Sequence, residues 1–234
     1  MNELTQLADL FGSDKGNCLS GHFYTRVYHK LFKRLRSSPI RLLEIGLLRT
    51  DIDARRLDNA AEGESSASGA RAPSLEMWRT YFPNATLLGF DIDDFSQVKI
   101  EGCTILRGDV ASRESLEELS RKIGKAIDIL IDDASHVSHH QQLCLGILFP
   151  KMASGGMYII EDLHWQDGRF EKMEAPKTRH LLRKLKAHGT FESPYLSAEE
   201  QKYIQTNTKA VWLFDSLTSD VEDASDALGI IIKR

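Results

Sequence analysis

Two apolar runs in this chain each end in a pair of acids, and a histidine follows the first pair. Ile127-Asp128-Ile129-Leu130-Ile131 leads into Asp132 and Asp133, with Ser135 and His136 just beyond, and Met157-Tyr158-Ile159-Ile160 leads into Glu161 and Asp162. Hard divalent cations such as Mg²⁺ take carboxylate oxygens and keep positions open for water or substrate. Asp133, Glu161 and Asp162 are therefore candidate ligands, while Asp132 is a candidate for orienting a bound cofactor. A metal at such a site lowers the pKa of a hydroxyl bound to it. His136, three residues after Asp133, is placed to remove that hydroxyl's proton, as an imidazole titrating near neutrality can. Single acids at strand ends are commonly just exposed; the repeated pairing favours a metal. His136, His139 and His140 spell HxxHH, but Val137 and Ser138 stand where a zinc protease motif would carry its Glu. His139 and His140 read as surface or substrate-facing residues.

For these side chains to meet, both runs must be strands of one sheet. Short β-branched runs bounded by polar residues suit buried strands, and residues 138–152 between them suit a crossover helix. Parallel strands joined this way put their carboxyl ends on one edge, where open α/β sheets bind ligands. The remaining chain supplies the rest of such a sheet: Ile40–Leu47, Thr86–Ile92, Cys103–Leu106, Ala210–Leu217 and Leu228–Lys233 read as strands. Helical spacing marks 3–11, 23–35, a segment opened by Pro73, 111–124, 173–187 and 197–206. About ten residues separate the last two strands, too few for a helical crossover, so that pair is expected to be antiparallel. Trp78, Tyr81 and Phe82 read as core rather than as a substrate platform. The expected architecture is α/β: a Rossmann-like, seven-stranded, mostly parallel sheet with a C-terminal antiparallel hairpin and helices on both faces. It forms one domain over 1–234, with an N-terminal helical segment at 1–38 and a mobile polar insertion at 49–72.

At 234 residues the chain can bury a full core, and 41% hydrophobic with 27% charged residues is ordinary for a globular protein. A net charge of −4 gives no reason to expect nucleic acid. No apolar stretch approaches the roughly 20 residues that span a bilayer. MNELTQLADLFGSDKG lacks the pattern of a signal peptide. Three scattered cysteines, two of them in apolar surroundings, fit a reducing compartment, so a cytoplasmic protein is expected.

Beyond the rim motifs, GSDKG…HFYTRVY, LLEIG, SLEMWRTYFPNA…GFDID, GDV, IDDASH and GGMYIIEDL together resemble a known group. They are similar to the metal-dependent macrolide sugar O-methyltransferases, of the mycinamicin and macrocin type, within the class I S-adenosylmethionine-dependent methyltransferases. The resemblance covers most of 8–165 and, more faintly, the last strands. It implies S-adenosylmethionine and Mg²⁺ as cofactors, and a small glycosylated acceptor with neither nucleic acid nor membrane as partner. It also gives His136 the role of base. Physical reading and resemblance agree on the cofactor side. Gly46 permits close backbone approach after the first strand, with Glu44 two residues earlier, Asp91 suits the ribose hydroxyls, and Asp109 suits the adenine amino group. Leu47, Leu48, Arg49 and Thr50 follow Gly46 where a further glycine run would be usual. By resemblance alone, Lys15 and Tyr24 cover the cofactor. Tyr28 fits either that role or helix packing.

The expected activity is methyl transfer to a sugar hydroxyl of a glycosylated natural product or saccharide; homo-oligomerisation is left open. Phenolic acceptors and an inactive, cofactor-binding relative are the alternatives. A nicotinamide oxidoreductase is disfavoured, since no GxGxxG follows the first strand and no Tyr-x-x-x-Lys occurs.

Overall fold

The computed structural model describes residues 1–18, 22–47, 71–164, 166, 168–217 and 227–234. The expectation of mobility for 49–72 falls outside this set except at Arg71 and Ala72, which lead into a helix. The elements in chain order are α1 (Glu3–Phe11), α2 (Tyr24–Phe32), β1 (Arg41–Ile45), α3 (Pro73–Tyr81), β2 (Thr86–Asp91), β3 (Cys103–Arg107), α4 (Arg113–Ile123), β4 (Ile127–Asp132), α5 (Ser138–Leu148), β5 (Met152–Ile160), α6 (Thr178–His188), α7 (Ala198–Asn207), β6 (Thr208–Phe214) and β7 (Leu228–Lys233). Pro150 lacks the amide that would continue α5, and the chain passes through a 3₁₀ turn, Phe149–Lys151, into β5. β5 therefore starts earlier than its apolar run suggests, with an irregular register against β4 between Ile127 and Ile129.

The seven strands lie in the order β3-β2-β1-β4-β5-β7-β6. Strands β1 to β5 pair in parallel, and β7 runs antiparallel to both β5 and β6. The expected α/β sheet with an antiparallel C-terminal pair is thus observed. Side chains alternate between its faces. Leu43, Ile45, Ile127, Leu130, Tyr158 and Ile160 pack on one side with α4 to α7. Leu42, Leu87, Ile129, Ile131, Ile159 and Ile230 pack on the other with α1 to α3. On that second side Tyr28, Phe32, Trp78 and Phe82 are fully buried, with ring centroids 5.2–6.1 Å apart, so Trp78, Tyr81 and Phe82 are core. Cys144 is buried, Cys103 half-buried and Cys18 exposed; all three are free thiols. Among the described residues no helix is long and apolar enough to cross a membrane.

Backbone hydrogen bonds carry the pairing one residue past the strand ends. The Asp133 amide donates to the Ile45 carbonyl at 2.8 Å and the Glu161 amide to the Asp132 carbonyl at 3.0 Å. Gly46, Asp133 and Glu161 consequently form one row across the sheet edge. Gly46 has φ +84, and a Cβ there would lie 2.4 Å from the Asp133 carbonyl oxygen. The close approach that requires glycine is made to the neighbouring strand end. Gly46→Ala should destabilise the protein by about 2–4 kcal/mol, from left-handed backbone and overpacking together. Urea unfolding would show it, and an unchanged midpoint would mean that the edge relaxes freely.

Candidate active site

Period-two alternation decides which acids meet. Glu44, Asp133 and Glu161 project to the α1–α3 side, and Asp132 projects to the other. Asp132 is 1% exposed, and its Oδ2 accepts from the Tyr158 hydroxyl at 3.4 Å. Burial first, then the neighbouring charge of Asp133, pushes its pKa up to about 7 against the pull of the Ala134 amide. The structure therefore sets Asp132 beneath the rim, among Cys144 and Tyr158.

Glu44 is fully buried. Its Oε2 accepts from the Trp78 indole at 3.2 Å, and its Oε1 lies 3.3 Å from the Lys15 ammonium. The same ammonium is 2.5 Å from Asp133 Oδ2 and 2.9 Å from Glu161 Oε2. Burial opposes the charge on Lys15, but Asp133, Glu161 and Glu44 together hold it well above the ordinary lysine range. The loop carrying Lys15 is tied down where the Thr25 amide donates to the Lys15 carbonyl at 3.1 Å and Thr5 and Thr25 hydroxyls meet at 2.8 Å.

Tyr24 and Tyr28 lie one turn apart on one face of α2. The Tyr24 hydroxyl donates to Asp162 Oδ1 at 2.6 Å and accepts from the Asp162 amide at 3.1 Å, while Tyr28 donates to Glu161 Oε1 at 2.5 Å. Both residues assigned to cofactor cover by resemblance, Lys15 and Tyr24, thus lie on rim acids, and Tyr28 does the same while packing the aromatic core.

Three non-glycine residues here have left-handed backbone: Ser135 (φ 45), His136 (φ 55) and Asp162 (φ 51). Such conformations cost about 1–3 kcal/mol each and persist where the surroundings impose them. At Asp162 the turn brings two consecutive acids to the α2 side. After β4 it brings His136 Nε2 to 3.5 Å from Asp162 Oδ2. Donor atoms of Asp133, His136 and Asp162 all lie within 4.8 Å of one another. The two carboxylates suit a hard divalent cation, and the imidazole stands close enough to reach a group bound to it. Glu161, read from sequence as a third ligand, spends its two oxygens on Tyr28 and Lys15. His22 and His164, which sequence reasoning missed, each place Nδ1 3.9 Å from Asp162 Oδ1. Their only sequence signal is that His22 opens the HFYTRVY motif and His164 directly follows IEDL.

On the cofactor side, Asp91 Oδ2 accepts from the Leu47 amide and Oδ1 from the Asp93 amide, both at 2.7 Å. Asp109 Oδ1 accepts from the Ala111 amide at 2.8 Å. Both acids organise their own turns beyond β2 and β3 at the edge that carries the metal-type group. His139, read from sequence as surface or substrate-facing, is buried against Tyr195 at 5.2 Å between centroids, and His140 Nδ1 lies 3.0 Å from Ser135 Oγ. Burial and then His139 push His140 down to about 4.

A central parallel sheet continued by one reversed strand, in this order, is the class I methyltransferase fold. No family model matches the sequence. Among curated proteins, the chain is 35% identical over 161 residues to the 8-demethyl-8-(2-methoxy-alpha-L-rhamnosyl)-tetracenomycin-C 3'-O-methyltransferase of Streptomyces olivaceus, covering 69% of this chain and 37% of that one. It is 31% identical over 166 residues to the mycinamicin VI 2''-O-methyltransferase of Micromonospora griseorubida, covering 69% and 36%. Its curated homologues are thus sugar O-methyltransferases, and the matches span little more than a third of their length. Among solved structures, MycE methyltransferase from the mycinamycin biosynthetic pathway, in complex with Mg and SAH, superposes with a TM-score of 0.72 at 25% identity. That superposition covers 99% of this chain and 53% of MycE.

Glu44 yields a pH prediction. Burial raises its pKa from 4.5 to about 7, with Lys15 pulling it back. Between those values the folded protein holds a proton that the unfolded chain has released, so this contribution is full below pH 4.5 and is lost as pH rises through 7. Glu44→Gln should remove that limb, on the order of 3 kcal/mol, from the pH profile of urea-unfolding stability. Parallel profiles for variant and wild type would contradict the assignment.

Proposed function

We propose that this chain forms an S-adenosylmethionine- and Mg²⁺-dependent O-methyltransferase site that acts on a sugar hydroxyl of a small glycosylated acceptor. The observation that carries this reading is the convergence of Asp133, His136 and Asp162 at the ends of β4 and β5, on a class I methyltransferase sheet. The relatives support the same reading by their names: the tetracenomycin and mycinamicin enzymes are sugar O-methyltransferases, and MycE was solved with Mg and SAH.

When bound, the metal would polarise the acceptor hydroxyl and the cofactor's sulfonium would supply the methyl group. Asp133 and Asp162 would hold the metal, with Glu161 as a further oxygen donor once released from Lys15. Gly46, Asp91 and Asp109 would form the cofactor side, with Glu44 and Asp132 supporting it from beneath the edge. Tyr24 positions Asp162 through its two hydrogen bonds. His136 would take the hydroxyl proton at Nε2, the nitrogen that faces Asp162. Negative charge on Asp162 stabilises the imidazolium so formed.

His136→Ala should keep cofactor and Mg²⁺ binding by titration calorimetry but lose about 10²–10⁴ in turnover, the usual worth of a positioned general base. Near-normal turnover would remove His136 from that role. Asp91→Ala should weaken S-adenosylmethionine binding by about 1.5–3 kcal/mol, the worth of a hydrogen bond to a charged group. Full activity after exhaustive EDTA treatment would end the metal assignment.

A further inference from the structure

Asp133 belongs to two cation environments at once. Its carboxylate is one of the three donors that meet at the candidate metal group with His136 and Asp162. The same carboxylate is in contact with the ammonium of Lys15, which also holds Glu161 and borders Glu44. Lys15 is 1% exposed, comes from the loop between α1 and α2, and reaches the acids from the side that α1–α3 cover. The carboxylates of Glu44, Asp133, Glu161 and Asp162 stand within this small volume with Asp14 close by, and a buried carboxylate without a counter-charge is strongly unfavourable.

We infer that Lys15 is a resident cation of the acid cluster, competing with the divalent ion for Asp133 and Glu161 and setting how tightly that ion is held. The inference rests on the metal reading given above. In the metal-free protein the ammonium supplies the charge that keeps Asp133 and Glu161 together. When a divalent ion binds Asp133, two cations share one carboxylate and repel, so the ammonium shifts towards Glu44 and frees part of Asp133 and Glu161. Lys15 is in this sense a positioning residue: it acts on the metal through the ligands, not by coordinating it. A lysine that served packing alone would leave metal affinity unchanged or, by loosening the site, weaken it. A competing cation does the opposite.

The test is Mg²⁺ binding by titration calorimetry, without cofactor or acceptor, to wild type, Lys15→Met and Lys15→Arg, with thermal unfolding of each in EDTA and in Mg²⁺. Lys15→Met should unfold at lower temperature in EDTA, gain more from Mg²⁺ than wild type, and bind Mg²⁺ about tenfold or more tightly, since repulsion between close cations at a partly buried site is large. Lys15→Arg keeps the charge and should bind Mg²⁺ within about threefold of wild type. Should Lys15→Met not fold without metal, the ammonium nitrogen resonance of Lys15 in wild type supplies the answer, because it must move as Mg²⁺ saturates. Equal or weaker Mg²⁺ binding by Lys15→Met, or an unmoved Lys15 resonance at saturation, overturns the inference and leaves the metal site standing. Absence of Mg²⁺ binding to wild type overturns both.

Discussion

Burying acids at the end of a strand demands a partner for every oxygen, and that demand shapes the N-terminal third of this protein. Glu44 and Glu161 are essentially without solvent, and Asp133 and Asp162 retain little. Water cannot stabilise their charge, so α2 and the loop before it do. Lys15 supplies charge to three of the four, and the Tyr24 and Tyr28 hydroxyls supply hydrogen bonds to Asp162 and Glu161. Since Tyr28 also stacks on Phe32 and packs at a tilt against Trp78, the aromatic core and the acid cluster share one wall. Loss of that packing would loosen the site, and loss of the charges would leave the wall covering nothing polar.

The parallel sheet explains why the arrangement is possible. Three neighbouring strands, β1, β4 and β5, end in register, with Ile45 beside Asp132 and Asp132 beside Ile160. Residues one step further along therefore lie side by side whatever their identity. A pair of acids after each strand then divides by parity: one member goes to each face unless the chain turns. After β4 the division holds, and Asp132 and Asp133 occupy different environments. After β5 the left-handed turn at Asp162 breaks it, and both acids reach α2.

That difference also marks how far the sequence could be read. The strands, their order of appearance and the antiparallel final pair were legible because β-branched runs and short connections leave few alternatives. The edge where the acids gather was legible because they cluster after the runs. Parity could have warned that Asp132 points away from Asp133. The turn at Asp162 carries no such signal, because aspartate tolerates left-handed backbone without demanding it. Lys15 was legible only as part of a motif. Its contacts span 118 and 146 residues in sequence, and no local pattern reports such a distance. His22 and His164 approach Asp162 for the same tertiary reason.

Strain at the edge has a chemical consequence. Ser135, His136 and Asp162 all hold conformations that side chains disfavour. Relaxing His136 to extended backbone would swing its imidazole away from Asp162, and relaxing Asp162 would withdraw it from Tyr24. The tertiary contacts that oppose this are the hydrogen bonds of the Tyr24 hydroxyl to Asp162 and the strand-end amide bonds of Asp133 and Glu161. Donor atoms held in this way need little rearrangement to accept a cation, so less of the binding free energy is spent on ordering them. The buried ammonium beside them works in the other direction, stabilising the metal-free state. A site that is preorganised yet partly neutralised would bind a metal reversibly, with the balance set by how Asp133 is shared.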